Sequence, residues 1–342
     1  MPGLMLNNLL MMLETRSTLT RSSLSASGST PGDYPVCVQQ LRLFRGRASF
    51  VLASLVASPA PTNHEDVDML GCLNSAVSGR ANNITLFAPT DAAIGRLSSS
   101  QLAALTSDMA ALKETLSYHA LLKDVVGLHR RGINRLQDKV IMSSNNLPIR
   151  INIYKLVHSI SAEGVNITER AIRVSNGYVH ALDGIMKPPQ GDVVSVVQQL
   201  GEFNSLVSLL STAGLVDAIN ADMNITVFAP NDAAFQQLDP SIKTYLTNNL
   251  DDLKEVLLYH IVERMTLYSI GMRHTITFHT ADKRHDNLMV IEDFASGNIM
   301  VNDAKIVAKD ISATNGVIHV IDKVLIPLGV LLKMESQGLT IG

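Results

Sequence analysis

The feature that most constrains this chain is a phrase that occurs twice. "NITLFAPTDAAIGRL" runs from Asn83 to Leu97, and "NITVFAPNDAAFQQL" runs from Asn224 to Leu238. Asn83 and Asn224, Asp91 and Asp232, and Tyr118-His119 and Tyr259-His260 are each 141 positions apart (224 − 83). Further on, "NGYVHALDGIMKP" (Asn176 to Pro188) matches "NGVIHVIDKVLIP" (Asn315 to Pro327) at a spacing of 139 (315 − 176). A period near 140 is too long for a solenoid unit and fits a whole domain duplicated in tandem. The joint, "PPQGDV" from Pro188 to Val193, is a short turn, so the two copies are expected to touch.

Composition bounds what such a pair can do. The 342 residues are 46% hydrophobic, enough for two cores, and 28 basic against 31 acidic residues leave a net charge of −3. No global field favours nucleic acid or an anionic membrane. Aromatic residues make up 4% with no Trp, which argues against base-stacking or sugar-stacking platforms. Cys37 and Cys72 are the only cysteines, too few for a disulfide scaffold or a zinc pattern. No apolar run reaches the roughly 18 residues of a membrane-spanning helix, and the end "LIPLGVLLKMESQGLTIG" does not read as a lipid-anchor signal.

Residues 1–47 read as a leader, either disordered or preceding the true start. The segment "RLFRGRASFVLASLVASPAPT" carries Arg42, Arg45 and Arg47, an apolar stretch and small residues, the parts of a secretory signal in order. Two readings stand. Residues 48–60 are a signal-peptide core, or "CVQQLRLFRGRASFVLASLV" is a core helix echoing "SVVQQLGEFNSLVSLLSTAG" at Ser195 to Gly214. If Cys37 is retained, it is available to pair with Cys72. The expected limits are 48–190 for the first domain, 191–328 for the second and 329–342 for a C-terminal tail.

Each copy opens with apolar residues at three- and four-residue spacing, and Gly214 is a stop for that helical stretch. The repeated phrase then predicts a short strand, ended by Pro, and a helix capped by Thr90 or Asp91 in one copy and Asn231 or Asp232 in the other. The repeated Asp is therefore a capping residue before it is a catalytic acid. A second helix carries Leu253, Val256, Leu257 and His260 on one face, as it does Leu112, Leu116 and His119, so the histidines face inward. Strands separated by Gly and Asn turns complete each unit. Helices before strands predict an α+β domain rather than a βαβ parallel sheet.

"TLFAPTDAAI" and "TVFAPNDAAF", the "YH" after the second helix and the closing "NG..H..D....P" resemble the fasciclin-domain family, over Asp66 to Pro189 and Asp192 to Pro327. The second copy is most similar to the animal matrix members. The resemblance implies two tandem fasciclin-like domains, each a wedge-shaped β-sandwich flanked by helices. It also implies an extracellular, secreted protein of the matrix or cell surface that adheres through an integrin or matrix proteins and is not an enzyme. Carried over, the family's adhesive positions are Tyr118-His119, Tyr259-His260 and the Asp-Ile element at Asp310-Ile311, preceded by Lys309. The first copy departs: Val165-Asn166 matches Val301-Asn302, but 10 positions separate Asn166 from Asn176 against 13 from Asn302 to Asn315. Residues are then missing where Asp-Ile would sit.

An integrin-type contact needs an exposed carboxylate to complete a divalent ion held by the partner; Asp310 has that chemistry, and strand-end punctuation is its bland reading. His119, His180, His260 and His319 with Asp183 and Asp322 invite a metal site, but no zinc spacing exists and Asp322 lies on the strand face opposite His319, so no metal and no cofactor is expected. No phosphate loop or nucleophile motif is present. Sequons at Asn83, Asn166 and Asn224 are glycosylation candidates. A soluble small-ligand or lipid-binding module, using an apolar groove between helices and sandwich, is the alternative function.

Overall fold

The repeated phrase folds twice into the same strand, turn and helix. The computed structural model of the chain describes residues 84–122, 126–128, 138–155, 158–174, 177–221, 224–272, 275–282, 287–293 and 296–339. The leader, the signal-like run, both cysteines and Asn83 lie outside them. Ile84–Pro89 forms β1, buried at every position, and Asp91–Gly95 forms α1. Thr90 Oγ1 accepts the N–H of Ala93 at 3.2 Å and caps α1, a contact typically worth about 1 kcal/mol. Then follow α2 (Ser99–Ser107), α3 (Met109–Tyr118), β2 (Ala120–Leu122), β3 (Lys139–Met142), β4 (Pro148–Tyr154), β5 (Ser159–Ala162), β6 (Val165–Val174) and β7 (Gly177–Leu182).

The second copy adds α4 (Val193–Leu200), α5 (Asn204–Ala213) and α6 (Val216–Ala221) ahead of its phrase. Gly201 and Gly214, at φ 71° and 66°, end α4 and α5, so the amphipathic stretch breaks once more than the Gly214 stop predicts. The phrase gives β8 (Ile225–Pro230) and α7 (Asp232–Gln237), with Asn231 Oδ1 accepting Ala234 N–H at 2.9 Å. Asp232 does not cap its own helix. Its carboxylate accepts N–H donations from Asn204 and Ser205 at 3.1 and 2.8 Å, closing the start of α5, whose own N-cap is Phe203. Next come α8 (Pro240–Asn248), α9 (Leu250–Tyr259), β9 (Ile261–Val262), a 3₁₀ turn at Ser269–Gly271, β10 (Ile276–His279), β11 (Asn287–Asp293), β12 (Asn298–Val301), β13 (Ala304–Ala313), β14 (Gly316–Ile321) and α10 (Leu328–Ser336).

Each copy builds a seven-stranded sheet of one topology: β2-β1-β7-β6-β5-β4-β3 in the first, β9-β8-β14-β13-β12-β11-β10 in the second. The α+β expectation is met, with one addition. The first and last strands, β1 with β7 and β8 with β14, pair in parallel one strand in from the sheet's edge. Gly177 and Gly316 allow this: a Cβ there would sit 1.8 Å from Ile84 O and 2.2 Å from Ile225 O. The glycine of each Asn-Gly pair thus admits a close backbone.

The sheet wraps around one core and carries helices on a second. Phe228, Leu288, Val290, Ile299, Val301 and Ile306 fill the inner core of the second domain, while Ile225, Val227, Ile318 and Val320 meet the helices on the other side. Strand β13 serves both cores through a bulge. Six residues from Ile306 to Ile311 face four from Ile321 to Ile318, so Ile306 enters the inner core and Ile311 packs on the helical one. Within the segment expected as a C-terminal tail, α10 buries Val330 and Met334 in the helical core, and Lys333 Nζ donates to Asp252 at 2.5 Å and Glu255 at 3.1 Å.

The missing residues of the first copy are not missing. Ala162 pairs with Val165 as Val301 pairs with Ala304, and Ile172 pairs with Val179 as Ile311 pairs with Ile318, all 139 apart (301 − 162). The match of Val165-Asn166 to Val301-Asn302 was a chance likeness. In register, Ala171 occupies the place of Asp310 and Ile172 that of Ile311, and Ala171 and Asp310 share the left-handed backbone at φ 54° and 60°. The first domain lacks the Asp by substitution rather than by deletion.

Both sheets fall within one compact unit. Across their junction the Arg150 guanidinium, fully buried, donates to Ala313 O at 3.1 Å, Thr314 O at 2.5 Å and Asn224 Oδ1 at 3.2 Å. Its counter-charge is Glu163, at 3.4 Å, whose other oxygen accepts the Tyr268 hydroxyl at 2.8 Å. Asn152 Nδ2 donates to Thr266 O at 2.9 Å, and Tyr154 Oη accepts Tyr268 N–H at 3.0 Å. Burying an ion pair is costly unless its remaining donors are satisfied, and here backbone carbonyls of the other domain satisfy them.

Candidate functional site

The two Tyr-His pairs end α3 and α9 and point inward. Tyr118 is fully buried and its hydroxyl donates to Pro148 O at 2.6 Å; Tyr259 is 5% exposed and donates to Asn287 O at 3.2 Å. His119 Nδ1 lies 2.8 Å from Thr115 O, and its Nε2 accepts the N–H of Met186 at 3.0 Å. His260 repeats this with Val256 O at 2.7 Å and Leu325 N–H at 2.9 Å. A ring that donates from Nδ1 and accepts at Nε2 is the neutral imidazole. Burial lowers both histidines from 6.5 to about 4, partly opposed by their backbone hydrogen bonds. The two tyrosines tie each helix end to the start of β4 or β11, and the two histidines tie it to the segment after the last strand, rather than presenting a surface.

His180 and His319 stack on Phe87 and Phe228 at 5.3 and 5.6 Å. Each Nδ1 accepts an N–H from the bulge, Ala171 at 3.0 Å and Asp310 at 3.4 Å, and each Nε2 faces a carbonyl, Val126 O at 2.8 Å and Leu267 O at 2.7 Å. Burial pushes His319 below its usual range, with the Asp310 charge acting the other way. Asp322 accepts Lys305 N–H at 2.7 Å, and Asp183 faces the Asn166 amide at 3.4 Å, so both pin a hairpin. Among the described residues no group of three or more His, Cys, Asp and Glu is placed to hold a metal ion.

The bulge of β13 therefore carries the remaining candidates. Lys309 is exposed, and Asp310 and Ile311 are half-buried. Asp310 Oδ1 accepts the N–H of Ser269 at 2.7 Å and Oδ2 accepts its hydroxyl. Ser269, which opens the 3₁₀ turn, is the partner that the sequence alone gave no signal for: it lies 41 residues away with no motif around it. A non-glycine residue at positive φ costs about 1–3 kcal/mol, and the Ser269 and His319 contacts hold it there. Each carboxylate oxygen keeps a lone pair beyond its Ser269 bond.

Of the sequons within the described residues, Asn166 is half-buried on β6, and Asn224 is half-buried at the junction with its Oδ1 on Arg150. The apolar space between helices and sheet, lined by Val193, Val197, Leu206, Leu257 and Ile261, is a cavity of about 20 Å³. That is the volume of one water-sized probe, far below the several hundred Å³ of a ligand pocket. No described helix is long and apolar enough to cross a membrane.

Transforming growth factor-beta-induced protein ig-h3 of Sus scrofa is 31% identical over 179 residues, 52% of this chain and 25% of that protein. Periostin of Homo sapiens is 26% identical over 224 residues, 65% of this chain and 26% of periostin. The chain thus spans about a quarter of the length of these relatives. A solved domain pair from the insect cell adhesion molecule fasciclin I matches 82% of this chain and 97% of its own, at 18% identity and a TM-score of 0.39. The Fasciclin domain family matches residues 67–188 and 201–327, and the chain belongs to that family, with two tandem domains of mixed α and β structure.

Proposed function

We propose that this chain is a non-catalytic adhesion or matrix protein, secreted to the cell surface or matrix, that contacts an integrin-type receptor or matrix proteins through Lys309, Asp310 and Ile311. The observation that carries the reading is the bulge itself. It sets a carboxylate and an apolar side chain side by side at a half-exposed position, on a backbone held in place by Ser269 and His319. A carboxylate fixed before binding loses little entropy when it completes a partner's divalent ion. The likeness to transforming growth factor-beta-induced protein ig-h3 and to periostin supports the coarser reading, a cell-adhesion or matrix role.

On this reading the second domain is the adhesive one, since Ala171 offers no carboxylate at the matching place. Tyr118, His119, Tyr259 and His260 contribute by fixing the fold from inside. The test is attachment of cells to the purified, immobilised chain: attachment that chelation of divalent ions abolishes supports the reading, and attachment indifferent to chelation overturns it.

A further inference from the structure

The 3₁₀ turn that holds Asp310 is itself held from the first domain. Two consecutive backbone donors reach different domains: Tyr268 N–H donates to Tyr154 Oη of β4 at 3.0 Å, and Ser269 N–H donates to Asp310 Oδ1 of β13 at 2.7 Å. The Tyr154 ring closes on Gly271, the last residue of the turn, where a Cβ would lie 2.2 Å from a ring carbon. The Tyr268 ring packs on Gly164, where a Cβ would lie 2.4 Å away, and its hydroxyl donates to Glu163 at 2.8 Å. Gly164 adopts φ 75°, a backbone that strains any other residue. The first domain thus grips the turn on both sides of Ser269, at Tyr268 before it and Gly271 after it.

Energetics makes that grip matter. A three-residue 3₁₀ turn has poor hydrogen-bond geometry and little stability of its own. Asp310 sits at positive φ, a conformation that persists only where its surroundings over-determine it, and Ser269 is one of its two holds. The first copy shows the same fold without the tie. Leu267 and Val126 correspond at 141 positions (267 − 126), since each N–H donates at 2.8 Å to the Oγ1 of the matching threonine, Thr226 or Thr85. By that register Leu128 stands for Ser269, fully buried in the first domain's inner core, just as Ala171 stands for Asp310. Serine and aspartate are therefore replaced together, and the tie exists in the copy whose turn a neighbouring domain grips.

We propose that Tyr154 of the first domain is a positioning residue for Asp310 of the second: the docked domain fixes the turn, the turn fixes the bulge, and the carboxylate is set for its partner in the docked pair. The inference rests on the adhesive reading of Asp310. Such coupling is reciprocal, so a bound receptor in turn tightens the docking.

The test measures two quantities on the whole chain, chelator-sensitive cell attachment and amide hydrogen exchange at Ser269. Tyr154→Phe removes the acceptor of the Tyr268 N–H and keeps the ring, and Gly164→Ala presses on the Tyr268 ring from the first domain. Ile141→Val, a trim of the first domain's inner core, controls for lost stability. Ser269 is expected to exchange about tenfold faster in Tyr154→Phe and Gly164→Ala. Their attachment is expected to weaken about five- to tenfold, with Ile141→Val attaching like the wild type. Ser269 exchange unchanged in both junction variants overturns the proposal, whatever attachment does. Stronger attachment overturns it as well, because Tyr154 then screens the carboxylate, and so does an equal loss in Ile141→Val. Asp310→Asn separates the two levels. If it attaches like the wild type, the adhesive reading has failed and this inference falls with it; if it loses attachment while Tyr154→Phe does not, this inference alone has failed.

Discussion

Ser269 and Asp310, 41 residues apart, are joined twice: the backbone N–H of Ser269 donates to Asp310 Oδ1 at 2.7 Å and its hydroxyl donates to Oδ2. The carboxylate proposed for the adhesive contact is thus also the tie between the bulge of β13 and the 3₁₀ turn. On that proposal stability and recognition share one side chain, and experiments on Asp310 have to separate them.

Asp310→Ala is expected to lower stability by about 1–2 kcal/mol, because it removes both Ser269 contacts while leaving a backbone that alanine tolerates at Ala171. Ser269→Ala, which keeps the backbone donor, is expected to cost about half as much. Urea unfolding of both variants checks the order; equal losses would mean that the hydroxyl carries the whole tie.

Acid should unfold the pair through its Tyr-His motifs. His119 and His260 titrate near 6.5 when unfolded and at about 4 when folded, so the unfolded chain binds more protons between those values. Their stabilisation is complete above pH 6.5 and is lost as pH falls through 4, up to about 3 kcal/mol for each ring. Thermal unfolding measured from pH 7.5 to 4.5 should show the midpoint falling below pH 6.5. A flat profile would contradict the neutral, doubly bonded imidazoles.

At the junction, Arg150→Met leaves Glu163 buried without its cation and is expected to cost about 3–5 kcal/mol of docking. Adding Glu163→Gln should recover part of that loss, because the uncompensated charge is gone. Denaturant unfolding followed in both domains checks this: one transition in the wild type, two in Arg150→Met, and partial re-merging in the double variant.

Much of the fold was legible because it is local. The strand, Pro stop and cap of "NITVFAPNDAAF", the Gly214 stop and the inward histidines each follow from a few neighbouring residues. What was not legible depends on distant surfaces. "PIRINIY" and "NLMVIED" both alternate, which tells which side chains face away from their own core but not that a second domain covers Arg150 and leaves Met289 open. The place of Asp310 in the first copy is not legible in the sequence because two Val-Asn pairs look alike, and only hairpin register shows that Ala171 stands there. Ser269 and Asp232 bond across 41 and 27 residues to partners that no spacing rule connects.

The central claim is that the Asp310 carboxylate makes the adhesive contact. Asp310→Asn keeps the shape and an acceptor for Ser269 but removes the charge a divalent ion needs. Chelator-sensitive cell attachment, measured for wild type and Asp310→Asn with matched unfolding curves, is expected to fall at least tenfold in the variant. Attachment undiminished in a fully folded Asp310→Asn would contradict the account.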